Sequence, residues 1–114
     1  MNQINPGELA LWKSAGFAHA LLDVRRSSAR ERDGTDIGGG VWHDPAQWLD
    51  WKDQVPSDTP VVVYCAHGHE ISQGLAAALC AMGRDARTLV GGIAAWQAAG
   101  LPVSTHAGRS SGRG

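Results

Sequence analysis

The segment Pro60-Val61-Val62-Val63-Tyr64-Cys65-Ala66-His67-Gly68 constrains this chain most. Four β-branched or aromatic residues in a row are the strongest strand signal in the sequence, and a run apolar on both sides suits a strand buried on both faces. Past the loop, an Ala/Leu-rich stretch predicts a helix over 71–82 closed by Gly83. The rest of the chain repeats this alternation. Asn5-Pro6-Gly7-Glu8 reads as a helix start, with Asn5 as cap, Pro6 at the first helical position and Gly16 as the stop. Ala20-Leu21-Leu22-Asp23-Val24 reads as a buried strand, followed by a polar stretch over 25–36 and three glycines before Val41-Trp42. Asp44-Pro45 restarts a helix to which Trp48, Leu49 and Trp51 give an apolar side. Arg87-Thr88-Leu89-Val90 predicts another strand, Gly91-Gly92 a tight turn, and 93–99 a last helix. Strands alternating with helices predict an α/β fold, a mostly parallel sheet covered by helices on both faces.

At 114 residues the chain suits one domain, and 43% hydrophobic against 18% charged residues is enough to bury a core. Residues 104–114, rich in Gly, Ser and Arg, read as a flexible tail. The net charge of −1, without a basic block, argues against nucleic acid or an anionic membrane as the main partner. No apolar stretch is long enough to span a bilayer, and the first residues lack the pattern of a signal peptide. Two cysteines do not make a disulfide framework, so the cytoplasm is the expected compartment.

In open α/β sheets, ligands sit beyond the carboxyl ends of strands, where loops feed helix N-termini. Cys65 occupies that place. Unpaired N–H groups and roughly half a positive charge at a helix start favour thiolate over thiol, and a loop wrapped over it can form an anion-binding nest. Gly68 permits the tight turn such a loop needs. Cys80, mid-helix among Leu79, Ala81 and Met82, reads as a small core residue.

Four fragments in order then resemble the rhodanese homology family. Leu22-Asp23-Val24-Arg25 resembles its early strand motif, and Ile37-Gly38-Gly39-Gly40 its Ile-Pro-Gly-Ala segment. Val63-Tyr64-Cys65 with Gly68 resembles its Cys-x-x-Gly loop, and Gly91-Gly92-Ile93-Ala94-Ala95-Trp96 with Gly100-Leu101-Pro102-Val103 its closing pattern. The resemblance implies a rhodanese-like domain over 1–103, a five-stranded mostly parallel sheet, and a sulfurtransferase without a cofactor. It implies a ping-pong reaction in which Cys65 takes a sulfane sulfur as a persulfide and passes it to cyanide, a thiol or a protein acceptor. Cys65 is then the catalytic residue, and Ala66, His67, Gly68, His69, Glu70 and Ile71, with Arg25 and Trp42, are the expected substrate contacts, although Asp23 and Arg25 read first as structural, pairing or holding loop backbone. A non-catalytic rhodanese-like module that relays sulfur or binds a protein is the alternative.

One departure bears on the donor. Members active on thiosulfate often carry arginine where this chain has Glu70. Opposite unit charges about 6 Å apart attract by roughly 3 kcal/mol at an effective dielectric near 20, so reversing the sign predicts a poor thiosulfate donor. His67 or His69, if protonated, would restore part of the positive charge. Cys65, His67, His69 and Glu70 also offer thiolate, imidazole and carboxylate ligands, but their spacing is not a zinc-finger pattern and no metal is expected. Phosphatase chemistry is disfavoured, since no arginine follows the loop until Arg84. Arg26, Arg30 and Arg32 read as a solvated loop within reach of a partner or donor.

Overall fold

The structure, a computed structural model, describes residues 2–105. In chain order it contains β1 (Gln3–Ile4), α1 (Pro6–Ala15), β2 (Ala20–Asp23), α2 (Ser27–Asp33), β3 (Thr35–Asp36), β4 (Val41–Trp42), α3 (Trp48–Trp51), β5 (Val61–Tyr64), α4 (Glu70–Ala81), β6 (Ala86–Leu89), α5 (Gly92–Ala98) and β7 (Ser104–Thr105). Five strands form one sheet in the order β1-β6-β5-β2-β4, and every pairing in it is parallel. Central β5 is flanked by β2 and β6, with Leu22 opposite Val63 and Val63 opposite Thr88.

The apolar run of β5 divides by strand periodicity between two cores. Val61, Val63 and Cys65 face a cluster that includes Trp51, Val55, Ala76 and Leu79, while Val62 and Tyr64 face Leu9, Ile37, Ile93 and Trp96. Burial on both faces therefore explains why this segment reads as continuous rather than alternating. Trp96 is core, as expected from its place after the paired glycines. The predicted start of α1 is present in full. Asn5 accepts from the Glu8 N–H at 2.8 Å, the Glu8 carboxylate accepts from the Asn5 N–H at 3.0 Å, and Gly16 closes the helix at φ 69°.

Several expectations are corrected. The stretch 25–36 is not a plain polar loop: it holds α2 and β3. α2 has no buried residue, so its sequence carries no apolar stripe. The predicted helix after Asp44-Pro45 is broken into a 3₁₀ turn (Pro45–Gln47), α3 and a second 3₁₀ turn (Lys52–Gln54). Its apolar side excludes Leu49, which is 76% exposed, while Trp51 is buried. Ser104–Thr105, within the expected tail, pairs antiparallel with Thr35–Asp36. Residues 106–114 lie outside the described residues. No described helix is long and apolar enough to cross a membrane.

Candidate active site

Cys65 leaves the carboxyl end of β5, and the loop it begins reaches the first turn of α4 at Glu70. The loop is tied down from outside. Ile93 and Ala94, in the first turn of α5, donate N–H groups to the carbonyls of Cys65 and Ala66, both at 3.0 Å. Gly92 is needed there, because a Cβ would lie 2.4 Å from the Cys65 carbonyl oxygen. Gln73 Nε2 donates to the Gly68 carbonyl at 2.8 Å, and the Gln73 N–H to the His69 carbonyl at 3.0 Å. With its carbonyls engaged on α5 and α4, the loop turns N–H groups toward the sulfur.

Cys65 Sγ lies 3.2 Å from Ser72 Oγ, and only 6% of the residue is exposed. Burial pushes the thiol up, but the Ser72 hydroxyl and the backbone N–H groups of Ser72, His67 and His69 together outweigh it. The net direction is down from an ordinary cysteine, toward a thiolate. Ser72 is the site residue that sequence reasoning missed. Its signal was available: a hydroxyl seven positions after the cysteine falls in the first helical turn, beside the helix's unpaired N–H groups.

A cavity of about 610 Å³ opens over the sulfur. One side is the loop, with Cys65, Ala66, His67, His69, Glu70 and Ile71, all of them expected. The other side is α2 and its entry, with Arg25, Arg26, Ser28, Ala29 and Arg32. The wall built by α2 was not foreseen, although Arg26 and Arg32 were placed on a segment able to reach a donor.

Three of the expected contacts stand apart from the rest. Arg25 borders the cavity, but its guanidinium is spent: it bonds both Asp23 carboxylate oxygens at 2.7 and 3.0 Å, Asp33 at 3.0 Å and the Thr35 carbonyl at 2.8 Å. A cation 1% exposed, with these partners, holds the loop together, the role read first for this residue. Trp42 is not part of the cavity lining; its indole N–H donates to the Arg25 carbonyl at 2.8 Å, and the Arg30 guanidinium lies 5.4 Å over its ring. Gly68 also falls outside the lining. At φ 73° it packs so closely on the Gly91-Gly92 turn that a Cβ would stand 2.7 Å from the Gly91 nitrogen.

The His67 and His69 rings are 6.2 Å apart between centroids. Among the described residues, no group of three or more His, Cys, Asp or Glu is placed to hold a metal ion. N–H groups, which repel a cation, point at the sulfur instead.

Comparison with known proteins decides the family. Residues 5–99 match the rhodanese-like domain. This chain belongs to the rhodanese-like family. Over 90 residues it is 38% identical to the thiosulfate sulfurtransferase GlpE of Actinobacillus succinogenes, covering 77% of this chain and 78% of that protein. A rhodanese-related protein from Thermoplasma volcanium superposes with a TM-score of 0.78 over 90% of this chain and 97% of its own, at 24% identity, a likeness of fold. A thiosulfate sulfurtransferase from Pseudomonas aeruginosa gives a TM-score of 0.74 at 27% identity, covering 91% of this chain and 19% of that longer one. The chain is thus a member of a sulfurtransferase family, and its five-stranded parallel sheet is the rhodanese-like sheet.

Proposed function

We propose that this protein is a sulfurtransferase that carries sulfane sulfur on Cys65 as a persulfide. The supporting observation is the convergence of three backbone N–H groups and the Ser72 hydroxyl on Cys65 Sγ, at the floor of an open cavity. In the loading step the Cys65 thiolate attacks the outer sulfur of the donor. The donor's bond to that sulfur breaks (S–S in thiosulfate or a persulfide, C–S in mercaptopyruvate), its electron pair leaves with the donor remnant, and a bond forms between Cys65 Sγ and the transferred sulfur. The persulfide is anionic, and the same N–H groups stabilise its negative charge. In the second step a nucleophile, cyanide or a thiol on a small molecule or a protein, attacks the outer sulfur and releases the Cys65 thiolate. Splitting one transfer into two displacements at the same sulfur centre is covalent catalysis. A module that only binds a protein would have no use for a depressed thiol at the floor of a cavity, so a sulfur-carrying role is preferred; turnover with a small acceptor separates the enzyme from a relay.

The relatives named for thiosulfate support that class of donor, but Glu70 sets this chain apart. It lines the cavity near the sulfur and brings a negative charge toward any dianion. Thiosulfate is therefore expected to load Cys65 slowly, with a high Michaelis constant. The test is intact-protein mass after incubation with thiosulfate, mercaptopyruvate or a small persulfide. One added sulfur is expected, removed by cyanide or thiol, lost in Cys65→Ser and kept in Cys80→Ser. A folded protein that gains no sulfur from any donor would overturn the proposal.

A further inference from the structure

The backbone N–H groups that face Cys65 Sγ are those of His67, His69 and Ser72. Each belongs to a planar trans peptide, so its direction is set by whatever holds the carbonyl at the other end. For His67 that carbonyl is Ala66's, which accepts from the Ala94 N–H of α5 at 3.0 Å. The peptide that ends in the Ser72 N–H already lies within α4. For His69 the carbonyl is Gly68's, and its partner is Gln73 Nε2 at 2.8 Å. Of the three supports, this one alone is a side chain.

Gly68 is also the place where the loop can turn over. Glycine rotates about ψ at low steric cost, and half a turn of the Gly68–His69 peptide leaves both Cα atoms where they are. The Gly68 carbonyl would then replace the His69 N–H beside the sulfur. A donor would become an acceptor, and a carbonyl dipole so placed disfavours an anion. Gly68 itself cannot shift to avoid the choice, because it packs against the Leu89 carbonyl and the Gly91 nitrogen, 2.9 and 2.7 Å from where a Cβ would stand.

Gln73 is well placed to decide between the two arrangements. Its backbone N–H donates to the His69 carbonyl at 3.0 Å while its side chain holds Gly68, so one half-buried residue grips two successive loop carbonyls. A carbonyl only accepts, so the amide presents its nitrogen here. On its other side Gln73 borders a second cleft, shared with Asn2, Ala77, Cys80 and Thr88, none of whose lining residues is charged. No ion in that cleft lining draws the amide away from the loop.

We propose that Gln73 is a positioning residue for Cys65: its side chain locks the Gly68–His69 peptide with the N–H on Sγ, and without it the peptide turns its carbonyl to the sulfur. This rests on Cys65 being the reacting sulfur, but the lock acts on the thiol and can be read without any sulfur transfer.

Gln73→Met keeps the length of the side chain and removes the donor. Gln73→Ala removes both and suits the helix, so a shift common to the two variants does not come from bulk. Ala77→Met is the control, since Ala77 is exposed on the same cleft and a thioether there has no N–H to hold a loop carbonyl. Alkylation by iodoacetamide is followed across pH by mass on the fragment that contains Cys65, which keeps Cys80 out of the measurement. In both Gln73 variants the midpoint of the rate profile is expected to move to higher pH, with alkylation about threefold slower near neutrality. The plateau at high pH, where the thiolate is fully formed, is expected to be kept or raised. Loosening or occlusion of the loop would instead lower the plateau and leave the midpoint in place. The other charged and titratable groups around the cavity, Arg25, Arg26, Arg32, His67, His69 and Glu70, are the same in every variant. An unmoved midpoint in the Gln73 variants, with or without a lower plateau, overturns the lock, and so does an equal shift in Ala77→Met. Either result leaves the sulfur-carrier reading intact, which fails only if no donor places sulfur on Cys65 of the native protein.

Discussion

Glu70 and Ser72 leave the first turn of α4 two residues apart, one toward the cavity and the other toward Cys65 Sγ. They supply different terms. Ser72 lowers the thiol's proton affinity, so Ser72→Ala should raise it while the N–H groups stay in place. The sign follows from linkage: a depressed thiol adds stability above the unfolded-state pKa and loses it as pH falls through the folded value. Alkylation of Cys65 against pH should therefore shift to higher pH in Ser72→Ala, with roughly tenfold slower reaction near neutrality. The stability lost should be larger in alkaline than in acidic solution. An unshifted profile would remove Ser72 from the account. Glu70 acts on the donor, and Glu70→Arg should raise kcat/KM for thiosulfate by about tenfold or more, since the swap replaces repulsion by attraction. Steady-state kinetics with thiosulfate and cyanide would measure it, and an unchanged value would contradict the electrostatic reading. At this scale the sequence exposed Cys65 and its loop, because a strand, a cysteine and a glycine stand in a recognisable order. It hid Ser72, which reads as one more polar helix residue, and it misplaced Trp42, whose indole meets the Arg25 backbone.

Two elements frame the cavity, and they differ in how they declare themselves. α4 was legible to within a residue at each end, because twelve residues with a packed face produce an apolar pattern. α2 was not, since its seven residues bury nothing. Tertiary bonds hold it: Arg25 at its entry joins Asp23 on β2 to Asp33 at its last turn and to the Thr35 carbonyl beyond. Ion pairs that close a turn leave no periodic mark in a sequence. Arg25→Met should leave the buried Asp23 carboxylate without its main partner and cost about 3–5 kcal/mol in urea unfolding, as breaking a buried pair typically does. The surviving fold should also show faster amide exchange in α2 than in α4. A loss below about 1 kcal/mol would mean that the Arg25 network does not hold this wall.

Across the whole molecule, the parallel sheet was readable because β2, β5 and β6 each bury apolar residues and alternate with helices. The two-residue strands β1, β3, β4 and β7 were not, since two residues cannot display a period of two. The sheet places Cys65 at the carboxyl end of its central strand, while α5 latches the loop from below and α4 and α2 stand on either side of the cavity. Cys80 is set apart, packed against the core with its thiol directed at the Ala86 carbonyl at 3.3 Å. The central claim is that sulfur is carried at the first of these cysteines and not the second. Fragment mass mapping of the protein after loading with a persulfide donor tests it most directly. The added sulfur is expected on the fragment containing Cys65, with Cys80 unmodified; sulfur found on Cys80, or shared evenly between the two, would contradict the account.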